Sequence, residues 1–325
     1  MTFLKRKFTL KMKFKPNKLP NRMLCFEIKP AGIAMAMVEV KRNSQAIIHA
    51  NAWVETTKIN VKTIQTLIKD YNLKDWPVTI ILPEEQYQMR LVEVPDVEES
   101  EIVEAVKLKA SDFIAYPIDD ALVDVIQMPE KSFNGRRKMA FVVIAQSVPV
   151  LRVVDIIKQT GLSIHSVDIA DLALRNLSTY YNKSPYSGVL LISWQHSQIN
   201  LCHFQDLVVN RRIDIGGLGL LAEDQSQDEK MSDKLLHDSL MLEVQRSMDY
   251  FEIQLGLGVI DEICILSIME LPNSVYDLLD RNFNANVHKI NIPQAFELGE
   301  NSDMTIVDQC YVAIGGALRY QGSGL

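Results

Sequence analysis

Residues 24–36, LCFEIKPAGIAMA, place a carboxylate, Glu27, at the end of an apolar strand-like run and follow it with Lys29 and Pro30 where a tight turn belongs. A hairpin of this kind can hold a nucleotide phosphate. That chemistry needs a carboxylate to retain Mg²⁺ through water and a glycine that lets backbone N–H groups approach the phosphate. Here a lysine side chain fills the turn, and Pro30 has no N–H to offer. The stretch looks like the first hairpin of a nucleotide-binding domain whose turn refuses phosphate.

Other reactive residue types do not gather. Cys25, Cys202, Cys264 and Cys310 lie far apart in apolar contexts without metal-ligand spacing, and read as buried free thiols. The six histidines are equally scattered. The GGLG at 216–219 lacks the βαβ context and downstream acid of a dinucleotide loop.

The elements that must position Glu27 follow from periodicity. Three strands are predicted at Met23–Ile28, Gly32–Val40 and Gln45–Val54, then a helix carrying Val61, Ile64, Leu67, Ile68 and Tyr71, then a buried strand within Pro77–Pro83. Asp96 and Glu99 are spaced as a capping box before a helix that ends by Pro117. A strand (LVDVIQM), the FNGRRK loop, strand Met139–Ala145, helix Val148–Thr160 and strand Ile164–Asp168 complete an inserted αββαβ unit. From Gly188 the three-strand meander recurs, which marks an internal duplication. A polar connector, 222–234, leads to a long helix striped with Leu236, Leu240, Val244, Met248, Phe251 and Leu255. Strand EICILS, helix Ser274–Asn282, strand VHKINI and a last helix, Ile306–Tyr320, follow.

At 325 residues, 47% apolar and 23% charged, the chain has material for two lobes. No apolar run approaches the roughly 18 residues of a membrane span, and no apolar stretch of a secretory signal follows the basic start, so a cytoplasmic location is expected. Residues 1–22 carry eight Lys or Arg and no acid, while the whole chain is at −7. This basic tail is either a solvated extension or, with its interleaved Phe and Leu, an anchor to an anionic membrane surface.

Several stretches resemble the PilM-type, FtsA-like cytoplasmic proteins of type IV pilus assembly, and most of all the MshI branch serving MSHA-type pili. They are KASDFIAYPIDDALVDV (109–125), with Ala115 in place of the family's first proline, GLSIHSVDIADLALRNL (161–177) and YVAIGGALR (311–319). The resemblance spans Met23 to Tyr320. It implies an α/β, actin-like (ribonuclease H-like) fold of two lobes: 23–180 with an inserted α+β subdomain at about 86–163, and 181–325 with a helical and strand subdomain at about 222–290.

Nucleotide-binding members keep an Asp-Ile-Gly turn in each lobe. The matching residues here are Glu27, Ile28 and Lys29, then Ser193, Trp194 and Gln195, while Ser267 and Ile268 stand at the glycine pair that receives adenosine. All three elements are altered, so no cofactor, metal or catalytic residue is expected. Gly216-Gly217, Glu243, Arg246 and Gly315-Gly316 match the family framework and read as packing residues.

The resemblance implies a non-enzymatic scaffold at the cytoplasmic face of the inner membrane. A groove between the first lobe and the insertion would receive the cytoplasmic N-terminal peptide of a PilN-like membrane protein, with Ile114, Tyr116 and Pro117 as first probes; packing of the insertion's own helix is the competing role for these three. An assembly ATPase and further copies of the chain are additional candidate partners, and nucleic acid is not. The rival readings are an actin-like ATPase of the same machinery and a nucleotide-free polymer.

Overall fold

A computed structural model describes residues 21–41, 45–182, 184–192, 197–204, 206–213, 229–267 and 273–318. The basic tail to residue 20, the turn at 193–196, the Gly216-Gly217 pair, the connector at 222–228 and Ile268 lie outside the described residues.

Two sheets share one plan. In the first, β1 (Arg22–Lys29), β2 (Gly32–Glu39) and β3 (Ile47–Glu55) form an antiparallel meander. Helix α1 (Val61–Tyr71) then delivers β4 (Val78–Ile81), which runs parallel to β1. Asn60 caps α1 by accepting the Thr63 N–H at 3.0 Å, and Ile64, Leu67 and Ile68 bury the apolar stripe expected from their spacing.

An insertion follows β4. It consists of β5 (Tyr87–Glu93), α2 (Ile102–Ala110), β6 (Ala121–Gln127) and β7 (Met139–Gln146), with the strands ordered β5-β7-β6. Helix α3 (Ser147–Gln159) and β8 (Ile164–Asp168) return to the first sheet, where β8 pairs with β4. The closing strand of the expected αββαβ unit is therefore part of the first lobe's sheet, and the insertion opens instead with β5.

Helix α2 does not start at the expected capping box. A 3₁₀ turn, Glu99–Glu101, leads into α2, whose N-cap Glu101 has helical backbone angles and makes no side-chain cap bond. Asp96 is instead at the surface, 3.5 Å from Lys138.

After α4 (Ala170–Tyr181) the meander repeats as β9 (Tyr186–Ile192), β10 (Ser197–His203) and β11 (Asp206–Ile213). Helix α5 (Glu229–Asp249), extended by a π-turn at Tyr250–Gln254, buries Leu240, Val244, Phe251 and Leu255. Next come β12 (Glu262–Ser267), α6 (Asn273–Asn282) and β13 (Asn286–Lys289), with β12 parallel to β9 and β13 parallel to β12. The second sheet thus reads β11-β10-β9-β12-β13, the same connectivity as the β3-β2-β1-β4-β8 core of the first.

The chain then crosses back. After α7 (Ile292–Ala295), β14 (Glu297–Asn301) pairs parallel with β3, and α8 (Tyr311–Ala317) packs on α4, β1 and β2. The stretch after residue 290, grouped by sequence with the second lobe, completes the first sheet. The core that α8 enters joins Cys25, Ala34 and Ile81 of the first sheet to Val189, Leu191 and Leu266 of the second. All four cysteines are buried free thiols.

Candidate functional site

The β1–β2 turn brings Glu27 and Lys29 together. Glu27 is 6% exposed, and Lys29 reaches back to it, with Nζ 3.2 Å from Oε1. The same ammonium donates to the Gln309 carbonyl at 3.1 Å and lies 5.8 Å from the centre of the Trp53 ring. A chain-borne cation therefore sits beside the Glu27 carboxylate. Ser267, from the third altered element, ends β12 and is buried.

Burial outweighs the lysine. It pushes the Glu27 carboxyl up from 4.5 to about 7, against the lowering effect of Lys29 and with a smaller upward push from Glu84. Its second oxygen, Oε2, is buried and has no hydrogen-bond partner among the described residues. Between about pH 4.5 and about 7 the folded protein holds a proton that the unfolded chain releases, so the stabilisation is complete below the lower value and is lost as pH rises through the upper one. We expect Glu27→Gln to gain stability relative to wild type by about 2 kcal/mol between pH 5 and pH 8. Urea midpoints at both pH values measure this, and parallel pH profiles for the two proteins would disprove it.

Behind the turn, a polar network ties the lobes together. Asp171, on the first turn of α4, accepts from Tyr87 Oη at 2.8 Å, from Gln198 Nε2 at 2.6 Å and from Asn210 Nδ2 at 2.5 Å. Asn200 Nδ2 donates to the Asp171 carbonyl at 3.3 Å, and its Oδ1 accepts from both Gln198 and Asn210. Asp171, Gln198 and Asn200 are all buried. Arg212 on β11 reaches Glu84 at 3.3 Å, spanning from the second sheet to the loop after β4. The Tyr87 hydroxyl is driven far above its ordinary range by burial and by Asp171.

None of these residues was singled out by sequence. The available signal was the polar series Gln198, Asn200 and Asn210 inside otherwise apolar strands, since such residues are buried only when they are hydrogen-bonded. Among the described residues, no three His, Cys, Asp or Glu side chains converge as metal ligands.

Beside the turn lies a groove of about 640 Å³. One wall is the turn itself, Ile28 to Pro30 with Gly32 and Ile33, continued by Thr56–Ile59; the other is α3, through Val148, Arg152, Val153 and Ile156. A side chain at position 32 would overlap the Val54 carbonyl, so glycine lets β2 press against β3 at the groove wall.

Ile114 and Tyr116 do not line this groove. Both are half-buried against the insertion's own core of Val106, Ala110, Val142 and Ile144, and Pro117 is exposed beside them.

The fold is similar to those of solved structures. A chain of a PilM–PilN type IV pilus biogenesis complex superposes with a TM-score of 0.65 at 20% identity, covering 91% of this chain and 98% of that one. The chain has the two-lobed, actin-like α/β fold. The cytoplasmic domain of EpsL, an inner-membrane component of the type II secretion system of Vibrio cholerae, matches with a TM-score of 0.51 at 13% identity, over 92% of this chain and 96% of that domain. No family model matches the sequence, and no curated protein matches it. Among the described residues no helix is long and apolar enough to cross a membrane.

Proposed function

We propose that this chain is a non-enzymatic scaffold of a type IV pilus assembly machine, working at the cytoplasmic face of the inner membrane. In this reading it receives the cytoplasmic N-terminal peptide of a PilN-like protein in the groove between the β1–β2 turn and α3. The observation that carries the reading is the double role of that turn. Lys29 closes on Glu27 and the Gln309 carbonyl where phosphate and metal would lie, and the residues around it wall an open apolar groove.

The likeness to a PilM–PilN complex supports a partner of this class. Assignment to the MSHA-type branch rests on the wording of 109–125, 161–177 and 311–319. Ile114, Tyr116 and Pro117 act in this reading through the packing of the insertion. The basic tail adds attraction to anionic lipid, and contacts with an assembly ATPase or further copies use other faces.

Two measurements test the proposal. A PilN-like N-terminal peptide from the same organism is expected to bind, and Val148→Arg, which puts a charge at an exposed apolar position of the wall, to weaken it at least tenfold by fluorescence anisotropy. Unchanged binding by Val148→Arg would remove the groove from the reading.

ATP with Mg²⁺ at millimolar concentration is expected to leave the melting temperature unchanged. Ligand at 100 times its dissociation constant would add about 2.7 kcal/mol, well within detection. A Mg²⁺-dependent rise would favour the ATP-binding alternative.

A further inference from the structure

The insertion's sheet, β5-β7-β6, ends in a strand whose outer side no described strand pairs with. β6 has seven residues, keeps register with β7 without a bulge, and carries Leu122, Val123, Val125 and Ile126 half-buried. The Met128 N–H donates to the Met139 carbonyl at 3.0 Å, so Ile126, Asp124 and Leu122, of the same parity, direct their backbone groups to β7. Val123, Val125 and Gln127 direct theirs outward. Asp124 Oδ1 accepts from the outward Val125 N–H at 2.9 Å. A regular edge without Lys, Pro or bulge is a template for a further strand.

Other edges fit less well. Along β11, Leu207, Val208 and Val209 are buried, and β14 loses register between Leu298 and Asn301.

Charge specifies what the added strand must carry. Asp119, Asp120, Asp124 and Glu130 are exposed before, within and after β6, and none makes an ion pair among the described residues. Lys131 is the cation that follows them. The chain's own sequence contains the complement. Phe8, Leu10, Met12 and Phe14 alternate with Thr9, Lys11, Lys13 and Lys15, a strand period with one apolar and one cationic side. The stretch leads into the start of β1, whereas the insertion begins beside the turn at the other end of β1, where Gln86 shares a groove with Lys29 and Pro30. Those ends are about 26 Å apart, and the six residues 16–21 span at most about 21 Å. A second copy is therefore the donor.

We propose that the free edge of β6 takes up residues 8–15 of a second copy of this chain as a fourth strand of the insertion's sheet. The apolar side chains continue the face of Val123 and Val125 toward the core under α2, and the lysines lie on the face of Asp124. Docking takes the Val125 N–H for the new strand and frees the Asp124 carboxylate to meet a lysine. Edge and donated strand are different surfaces, so the contact is head-to-tail. This inference does not rest on the scaffold reading.

Sedimentation velocity of the full chain over a concentration series tests it. Wild type is expected to self-associate as concentration rises. Val123→Pro removes an outward N–H without touching the β7 ladder, Asp124→Lys sets like charges together, and Leu10→Asp with Met12→Asp spoils the apolar side of the donated strand. Each is expected to weaken association by about tenfold or more. Mixing the Val123→Pro chain with the Leu10→Asp, Met12→Asp chain combines one intact strand with one intact edge and is expected to give a heterodimer, which general loss of folding would not. A chain with residues 8–15 reordered to group the lysines, its charge unchanged, should fail to associate. Circular dichroism melts check folding, and Asp124→Lys serves in the mixture if Val123→Pro is poorly folded.

A wild-type chain that stays monomeric overturns the proposal. Association unchanged by Leu10→Asp with Met12→Asp overturns the occupant, and association unchanged by both edge variants overturns β6 as the edge. Undiminished association of the reordered chain would mean charge attraction alone and overturn strand pairing.

Discussion

Replacing Asp171 by alanine will lower the free energy of unfolding by about 3–5 kcal/mol, the range found when one member of a buried charged network is removed. Its carboxylate accepts from Tyr87, Gln198 and Asn210, two of them on the second sheet, so the change strands three donors in a buried site. Asp171→Asn preserves part of this acceptor capacity and should cost less. Urea denaturation measures both, and a loss below about 1 kcal/mol for the alanine variant would show that the lobes are held by apolar contacts alone. Because Tyr87 belongs to the insertion and Asp171 to the first lobe, the network fixes three parts of the chain around one side chain.

Gly315→Val will destabilise the protein by about 1–3 kcal/mol or more, although glycine in a helix is itself about 1 kcal/mol worse than alanine. Two opposite effects compete here. A Cβ at 315 would overlap the carbonyl oxygen and carbon of Ala173, backbone atoms of α4 that cannot swing aside. On the opposite side, a Cβ at 316 would fall 2.5 Å from Cys25 Sγ and 3.1 Å from Ile81. Helix α8 is thus wedged between α4 and the first sheet, and the Gly315 carbonyl accepts from Asn176 at 3.1 Å. Circular dichroism melts of Gly315→Val and Gly315→Ala decide the matter. An alanine variant at least as stable as wild type would mean that propensity prevails and the helices can part.

The elements whose signals are local were legible. The apolar spacing of Val61, Ile64, Leu67, Ile68 and Tyr71 specified α1, and the repeated three-strand meander specified the duplicated lobes. β5 was overlooked although its signal was present. Tyr87, Met89 and Leu91 alternate with Gln88 and Arg90, the period of a strand, with Met89 and Leu91 packing toward the second lobe and Val92 turned to the core under α2. The capping box misled in another way. The side-chain spacing was right, but the chain enters α2 through a 3₁₀ turn that leaves Asp96 at the surface.

The chemistry of the β1–β2 turn was decided by sequence alone. Lysine fills space and proline lacks an N–H wherever they stand, so the turn's steric bulk and its missing donor at Pro30 follow from covalent structure. The partners of that turn were decided only by tertiary structure. Lys29 meets a carbonyl 280 residues away, β14 finds β3 across most of the chain, and Asp171 collects donors from three strands. Strand and helix signals act over a few neighbouring residues, whereas these contacts follow from which apolar faces must be buried together. The groove beside Gln86 exists because α3 returns to the first sheet next to the turn, an outcome that no spacing within either segment encodes.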